Sequence, residues 1–347
     1  MIKSLTSLRG IFILFIFLHH AGIYQGGGTM GVAFFFVLSG FSMTLGYHDR
    51  VLQSDFNYRQ YLTRRCIKFY PLHWITLIAD IPYVLMGVLN WWLIPLFFVN
   101  AALLQTLVPI QEVYFSYNAV SWFLADILFF AVVFPFVFRF IKKTNSKIRL
   151  LVALTIAIIY VVIALMVPDS YRHAILYISP FIRILDFVFG ICLGLVYLRI
   201  KNDRKIDRLT NSWGGQKSII TLIALLLILL LVVESCILGS YGFVAPLYWI
   251  PIAVLILLVS VQKVGVLKVF ENKTLLWLGE CSFTIFLIHR LVLRYAAMFK
   301  IHESKIIYVA ICFVITIVVS YLVERYLLTP ITQWLTKRNQ QFMTARS

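Results

Sequence analysis

Apolar runs near the length of a membrane span recur from one end of the sequence to the other, separated by short polar segments. A helix needs about 20 predominantly apolar residues to cross a bilayer. The runs lack the two-residue alternation that is typical of membrane barrels. The pattern therefore predicts an all-α, polytopic integral membrane helix bundle. The ten predicted transmembrane helices are 5–24, 29–47, 69–89, 119–140, 150–167, 174–198, 218–238, 243–261, 274–298 and 306–328.

A further apolar stretch at 90–108 is short and is interrupted by Pro95 and Asn100. With ten spans and cytoplasmic N- and C-termini, most of the 31 Lys and Arg residues lie on the cytoplasmic side, as the positive-inside tendency favours. An eleventh span would move more than half of them outside. We therefore predict that 90–108 is a re-entrant or interfacial segment, which must be buried in protein or line a cavity.

Composition agrees with this class. Hydrophobic residues make up 61% of the 347 residues and charged residues 13%, whereas soluble domains are about 45–50% apolar. The formal net charge of +17 is explained by Lys and Arg residues that collect in cytoplasmic loops, so no nucleic-acid partner is expected. The five cysteines are scattered, and neither a disulfide nor a metal site is predicted. We divide the chain into a membrane domain, 1–335, and a short cytoplasmic tail, 336–347.

The first predicted helix carries Arg9, His19 and His20 in an otherwise apolar stretch. Ionisable groups are costly inside a bilayer and tend to face a bundle interior or a polar pathway. Arg9 and His20 are eleven residues apart, which is about 20° past three full helical turns and about 16 Å along the axis. They therefore share one face of the helix, whereas His19 points about 80° away. Read singly, Arg9 could reach the interface and a histidine could be a packing residue.

The pattern Arg-x10-His in the first helix resembles the acyltransferase-3 family of membrane acyltransferases. Six further blocks are similar to that family's blocks and follow in the same order, so that the resemblance covers almost the whole chain. They are GVAFFFVLSGF (31–41), YLTRRCIKFYPLHW (61–74), SWFLADILFFAVVFP (121–135), RILDFVFGICLG (183–194), LGECSFTIFLIHRLV (278–292) and YLVERYLLTPI (321–331).

The resemblance implies a membrane-bound O-acyltransferase of the bacterial inner or plasma membrane, most often an O-acetyltransferase. Acyl-CoA, typically acetyl-CoA from the cytoplasm, would be the donor substrate, and no bound cofactor is expected. The acceptor would be a hydroxyl of a cell-surface polysaccharide or of its lipid-linked precursor. The family's invariant histidine and arginine fall on His20 and Arg9.

The chemistry of these two side chains suits acyl transfer in more than one way. Neutral imidazole is a suitable general base near neutral pH, but His20 could also carry the acyl group covalently. Arg9 could hold the donor or stabilise a developing oxyanion. The residues alone leave these alternatives open.

The remaining candidate residues serve the donor and the acceptor. The family's basic stretch falls on Arg64, Arg65 and Lys68 at the start of the third span, where cationic groups would bind the phosphates of CoA; ordinary positive-inside anchoring is the alternative. Pro71 is expected in the first turn or so of that span. The residues predicted to line the pathway or the acceptor side are Ser39, Trp122, Asp126 and His289.

The sequence also differs from the family pattern. Many members have an acid five residues after the tryptophan, whereas here the acid is Asp126 and Ile occupies position 127. The histidine block often continues with proline, whereas here it continues with Arg290. Many members carry an appended hydrolase-like domain, and none is expected here.

Three local features complete the expectations. Arg183 and Asp186 are three residues apart and predict an intrahelical ion pair. The glycines at 26–28 predict a flexible turn. The alternatives to an enzyme are a transporter or flippase of an envelope glycan intermediate, which would also place charges in the membrane, and a structural subunit of an envelope assembly.

Overall fold

The computed structural model describes residues 2–87, 91–202, 217–238, 245–261 and 268–344. These residues form helices, and no strand occurs among them, which confirms the predicted all-α class. The chain folds into two compact units. The first comprises Met1–Phe56 and Val133–Glu280, and the second comprises Asn57–Val132 and Cys281–Ser347. The helix Ser121–Lys142 (α6) contributes to both units.

Among the described residues, the first unit is built from eight helices besides α6, most of which overlap predicted spans. A 3-10 turn at Arg50–Leu52, another at Lys268–Glu271 and a π-helical turn at His173–Ile178 connect them. The helices are α1 (Lys3–His20), α2 (Gly27–Tyr47), α7 (Ser146–Met166), α8 (Asp169–Arg172), α9 (Pro180–Asn202), α10 (Lys217–Leu238), α11 (Ala245–Val261) and α12 (Lys273–Glu280).

Helices α2 and α9 approach each other closely because both carry glycines where they cross. A Cβ atom on Gly40 would lie 2.0 Å from the carbonyl oxygen of Phe187, and one on Gly190 would lie 2.0 Å from that of Val37. Small residues allow this kind of backbone contact between membrane helices. The α2–α9 contact therefore fixes the centre of the first unit.

Replacing Gly40 with alanine is expected to destabilise the protein by about 3 kcal/mol, because overpacking forces the two backbones apart. Gly46→Ala is the matched control in the same helix, since no atom lies within 4 Å of the Cβ that it adds. Thermal unfolding of both variants in detergent measures the difference. Equal unfolding temperatures would show that the α2–α9 contact is not close in solution.

The second unit contains helices α3 (Tyr58–Gly87), α4 (Leu93–Ala101), α5 (Gln111–Tyr114), the first half of α6, α13 (Ser282–Met298), α14 (Lys305–Val323) and α15 (Thr329–Thr344). A 3-10 turn spans Gln105–Leu107, and a π-helical turn at Glu324–Leu328 joins α14 to α15. Residues 336–344 of the predicted tail thus form the end of a helix, and this helix packs against α3.

The stretch predicted not to cross the membrane contains one short helix. The nine residues of α4 extend only about 13 Å, which is too short for the hydrocarbon core of a bilayer, about 30 Å thick. Its last turn is fixed from inside the unit, since Nε2 of the buried His73 lies 2.8 Å from the carbonyl oxygen of Asn100. Ile94 and Phe98 of the same helix are largely exposed, so the re-entrant or interfacial position of 90–108 stays a prediction.

Within the part of the chain that the structure describes, six helices are long and apolar enough to cross a membrane, or seven if the two helices on either side of Cys281 count as one span. The six are Gly27–Tyr47, Ser121–Lys142, Lys147–Met166, Pro180–Lys201, Ile219–Leu238 and Lys305–Gln341. The predicted total of ten spans and the cytoplasmic position of the termini stay predictions. Residues 203–216, whose basic side chains contribute to the predicted orientation, lie outside the described residues, as do 88–90, 243–244 and 345–347.

Two predicted spans are wrong as single α-helices. The span 274–298 is divided at Cys281 into α12 and α13, and a hydropathy pattern that continues through this point gives no sign of the break. The span 174–198 begins with the π-helical turn at His173–Ile178, and α9 starts only at Pro180. The first break lies next to Glu280 and Ser282, and the second ends at Ser179 before Pro180; a hydropathy pattern averaged over a whole span does not register such short polar or proline positions.

Candidate active site

Helix α1 is continuous from Lys3 to His20, as the argument from helix faces requires. Arg9 and His20 therefore lie on one face, about 16 Å apart along the axis. Both side chains are partly buried. This separation favours a role for Arg9 on a part of the donor away from the reacting carbonyl.

The imidazole of His20 has a defined orientation. Its Nδ1 lies 3.0 Å from the carbonyl oxygen of Ile16, one turn earlier in the helix. A carbonyl oxygen can only accept a hydrogen bond, so Nδ1 donates and carries the proton of the neutral ring. The basic lone pair of the neutral imidazole is therefore on Nε2. This is the tautomer that a general base needs.

The end of α1 places His20 in the last helical turn. Gly22 adopts a positive φ of 70°, and the N–H of Ile23 donates to the carbonyl of Leu18 at 2.9 Å, as in a Schellman motif. The C-terminal carbonyls of a helix carry partial negative charge. They would stabilise the imidazolium that forms when His20 accepts a proton.

His19 has a different partner from His20. Its Nδ1 donates to the carbonyl of Gln25, and its ring packs on Gly28, where an added Cβ would lie 2.6 Å from Cδ2. His19 thus fixes the turn between α1 and α2. The predicted flexible glycine turn is wrong, because residues 26–28 are buried and lie too close to neighbouring atoms to accept a Cβ.

Arg9 lies beside a carboxylate that the sequence did not reveal. Gly10 follows it, and an added Cβ there would lie 2.7 Å from the carbonyl oxygen of Leu275 in α12. Gly279 of α12 packs still more closely on the backbone of Thr6, where an added Cβ would lie 1.7 Å from the carbonyl oxygen. This crossing brings the last residue of α12, Glu280, within electrostatic range of Arg9. In the sequence, the Gly-Glu pair in the block LGECSFTIFLIHRLV was the only feature that pointed to this proximity.

Ser39 lies in α2, directly before the glycine at which α2 and α9 cross, and its side chain is partly buried. In α9 the predicted ion pair between Arg183 and Asp186 is confirmed. Nε of Arg183 lies 3.2 Å from Oδ2 of Asp186, and both side chains are fully buried. The indole N–H of Trp249 donates to the other carboxylate oxygen. This pair therefore joins α9 to α11 in the interior of the first unit.

The basic residues predicted to bind the donor lie on α3 in the second unit. Arg64 and Lys68 are exposed, and Arg65 is partly buried with its guanidinium 5.4 Å from the ring centre of Tyr61. Arg64 and Lys68 are four residues apart and share a helix face. Because α3 begins at Tyr58, these residues lie within the helix. The predicted position of Pro71 in its first turn is therefore wrong.

The other candidates in this unit are buried. Trp122 and Asp126 lie one turn apart on α6, with 5% and 0% of their surface exposed. His289 of α13 is also fully buried, and its Nδ1 donates to the carbonyl of Ile285 at 3.1 Å. Its basic lone pair is therefore on Nε2, as in His20. The rings of Phe123 and Phe286, with centroids 4.8 Å apart, pack α6 against α13.

Sequence reasoning missed the polar network that holds the segment after α4. The amide of Gln105 donates to the hydroxyl of Ser121 at 3.0 Å, and this hydroxyl lies 3.5 Å from Oδ1 of Asn100. The amide of Asn118 donates to the carbonyl of Leu287 in α13 at 2.9 Å. Buried amides and hydroxyls are costly unless they are paired, so this network fixes the segment on α6 and α13.

These features define a helical membrane protein in which one face of the first helix carries a fixed cation and an oriented histidine. The family model for the acyltransferase domain matches residues 2–325. The chain therefore belongs to the acyltransferase-3 family, as its sequence blocks predicted, and it is an acyltransferase. This assignment favours the enzyme over the predicted alternatives of a transporter or a structural subunit.

Individual related proteins share only about a quarter of their aligned residues with the chain. The acyltransferase MdmB of Streptomyces mycarofaciens is 27% identical over 302 residues, which are 77% of this chain and 69% of MdmB. The "Putative O-acetyltransferase" of Staphylococcus aureus strain COL is 24% identical over 360 residues, covering 95% of this chain and 57% of that protein. The chain thus spans little more than half the length of this staphylococcal relative. No solved structure matches the chain significantly.

Proposed function

We propose that this chain transfers an acyl group, acetyl in the first instance, from acyl-CoA to a hydroxyl of a glycan, with His20 as the general base. The observation that carries the proposal is the hydrogen bond from Nδ1 of His20 to the carbonyl of Ile16. It leaves Nε2 as the basic atom of the ring. The match to the acyltransferase domain supports the reaction class, and the name of the staphylococcal relative suggests acetyl transfer to oxygen.

The proposed reaction is direct transfer. Nε2 of His20 takes the proton of the acceptor hydroxyl while the hydroxyl oxygen attacks the thioester carbonyl. The new C–O bond forms, the C–S bond of the donor breaks, and the imidazolium returns the proton to the thiolate of CoA. Proton transfer of this kind contributes about 10²- to 10⁴-fold to the rate. The carbonyls at the end of α1 stabilise the imidazolium between these steps.

Arg9 has a supporting role in this scheme. It lies about three helical turns from His20, so we assign it to the donor rather than to the oxyanion at the reacting carbon. Its guanidinium supplies a permanent positive charge and several hydrogen-bond donors. Glu280 lies within electrostatic range of it, and this negative charge favours the charged guanidinium.

The phosphates of acyl-CoA are assigned to the exposed cations of α3. Arg64 and Lys68 present two positive charges on one helix face, and cationic groups bind phosphate oxygens strongly. Arg65 completes the cluster. The acceptor is proposed to be a cell-surface glycan or its lipid-linked precursor. Ser39, Trp122, Asp126 and His289 are its proposed contacts, and the bacterial inner or plasma membrane is the proposed location.

The proposal is tested with the full chain purified in detergent or reconstituted in vesicles. Acetyl-CoA labelled in the acetyl group is incubated with surface glycan of the source organism from which mild alkali has removed existing esters. We expect alkali-labile label on the glycan and an equal amount of released CoA thiol. Release of thiol without labelled glycan would contradict glycan acylation.

Arg64→Gln is expected to raise the KM for acetyl-CoA by about 10- to 150-fold and to leave the KM for the glycan unchanged, since one charge-assisted contact to phosphate contributes about 1.5–3 kcal/mol. Arg59→Gln is the matched control, because Arg59 is also exposed on α3 but lies about 140° around the helix from Arg64. Initial rates at varied acetyl-CoA measure both. Equal effects of the two substitutions would indicate a general charge effect instead of a donor site.

A further inference from the structure

The second unit contains a cation that the proposed reaction does not use. Arg290 and Arg294 are four residues apart on α13 and therefore share a face. Arg294 is neutralised, because its guanidinium lies 2.9 Å from Oδ2 of the buried Asp80 in α3. It also donates to the carbonyl of Tyr117 at 2.6 Å. The carboxylate of Asp80 is thus already paired with Arg294.

Arg290 is only partly exposed, and among the described residues no hydrogen bond or ion pair engages its guanidinium. Arg294 and Asp80 are both within electrostatic range of it. Like charges four residues apart on a helix repel each other, and an arginine within a membrane helix is costly unless it pairs. The local charge therefore has a surplus of one positive unit, which an anion would neutralise.

A buried hydrogen-bond acceptor lies on the segment that contacts this part of α13. Asn118 donates to the carbonyl of Leu287 at 2.9 Å, whereas its own amide oxygen is buried and has no partner in the described structure. Leu287, Arg290 and Arg294 share one face of α13. Tyr117 and Asn118 contact that face at Arg294 and at Leu287, so Arg290 lies between the two contacts.

This arrangement fits one kind of ligand. A guanidinium binds the oxygens of a phosphate or a carboxylate, and an unpaired amide oxygen accepts a hydrogen bond from a hydroxyl. A sugar that carries an anionic group offers both. The site is separate from the donor cluster, because Asp80 lies 12 residues, or about 18 Å, along α3 from Lys68.

We propose that Arg290 binds an anionic group of the acceptor sugar, a phosphate or a carboxylate, while Oδ1 of Asn118 accepts a hydrogen bond from a hydroxyl of the same sugar. The acceptor of this enzyme is accordingly an acidic or phosphorylated glycan unit. The inference rests on the proposed function only in identifying the bound sugar as the acceptor. The anion site itself can be tested without catalysis.

The test measures thermal unfolding of the full chain in detergent with four probes: methyl glucuronide, glucose 1-phosphate, methyl glucoside and inorganic phosphate. A ligand that binds the folded state raises the unfolding temperature. We expect the two anionic sugars to stabilise the protein, inorganic phosphate to do so less, and neutral methyl glucoside to have no effect. The stronger of the two anionic sugars identifies the group as phosphate or carboxylate.

Arg290→Gln should abolish the stabilisation by anionic sugars without lowering the stability of the unliganded protein, since it removes an unpaired charge. Arg290→Lys should retain part of the effect. The matched control is Arg338→Gln, which removes an exposed arginine from the same unit and should keep the full response. An unchanged response in Arg290→Gln, or equal stabilisation by methyl glucoside, would overturn the anion site.

Acetyl-CoA distinguishes this site from the donor cluster. It should stabilise Arg290→Gln as much as the wild type, and loss of that response would assign Arg290 to the donor instead. Failure of the proposed function has a different signature. In that case anionic sugars would still bind through Arg290, but no labelled acetyl group would reach any glycan.

Discussion

Replacing His20 with alanine is expected to lower acyl transfer by about 10²- to 10⁴-fold, which is the usual contribution of a general base. The substitution removes the only group that we assign to the proton of the acceptor hydroxyl. The KM for acetyl-CoA should change little, because the donor phosphates are assigned to α3. The labelled acetyl assay measures both quantities.

Two controls separate catalysis from folding. His48→Ala removes a histidine at the end of α2 that pairs with Asp49, and it should leave transfer unchanged. His19→Ala removes the contact to Gln25 and should lower thermal stability more than the rate per folded molecule. A His20→Ala enzyme that keeps more than a tenth of the wild-type rate would contradict the assignment. Labelled acetyl retained on wild-type protein and absent from His20→Ala would instead identify His20 as an acyl carrier.

In the first helix, the sequence pattern alone predicted which residues share a face. The periodicity of an α-helix is regular, so the shared face of Arg9 and His20 followed from counting residues, and the structure has the continuous helix that the count assumes. The pairing of Arg183 with Asp186 was predictable for the same reason, since it depends on a local spacing of three residues.

Contacts between distant residues could not be predicted in this way. Glu280 approaches Arg9 only because Gly10 and Gly279 let α1 and α12 pack closely. The tautomer of His20 depends on a local contact, but one that is set by the side-chain rotamer that brings Nδ1 to the carbonyl of Ile16, and residue spacing does not specify that rotamer. Which of several membrane carboxylates meets which cation is set by tertiary packing, and one sequence without a structure does not determine it.

Helix boundaries in polar sequence were also predicted wrongly. Hydropathy placed the third span at 69–89, but α3 begins at Tyr58, because an amphipathic stretch with four basic residues is a good helix former without being apolar. The residues after 335 were predicted as a tail for the same reason, although α15 continues to Thr344. Hydropathy reports partition into lipid, whereas a helix can extend beyond the lipid.

Arg294→Gln is expected to destabilise the protein by about 3–5 kcal/mol, because it leaves the buried carboxylate of Asp80 without its ion-pair partner. Tyr117 also loses the donor to its carbonyl, so the chain beside α13 should become more susceptible to protease. The free energy of unfolding in detergent, measured with denaturant, gives the size of the effect.

A double-mutant cycle isolates the pair from other consequences of the substitution. Asp80→Asn alone leaves two arginines, Arg290 and Arg294, without a carboxylate and should also be destabilising. The double variant, Asp80→Asn with Arg294→Gln, removes both charges of the pair and should be more stable than Arg294→Gln alone. Strictly additive effects would show that the two groups do not interact.

Because Arg290 lies within electrostatic range of Asp80, adding Arg290→Gln to Arg294→Gln should lower stability further, whereas Arg290→Gln in the wild type should not.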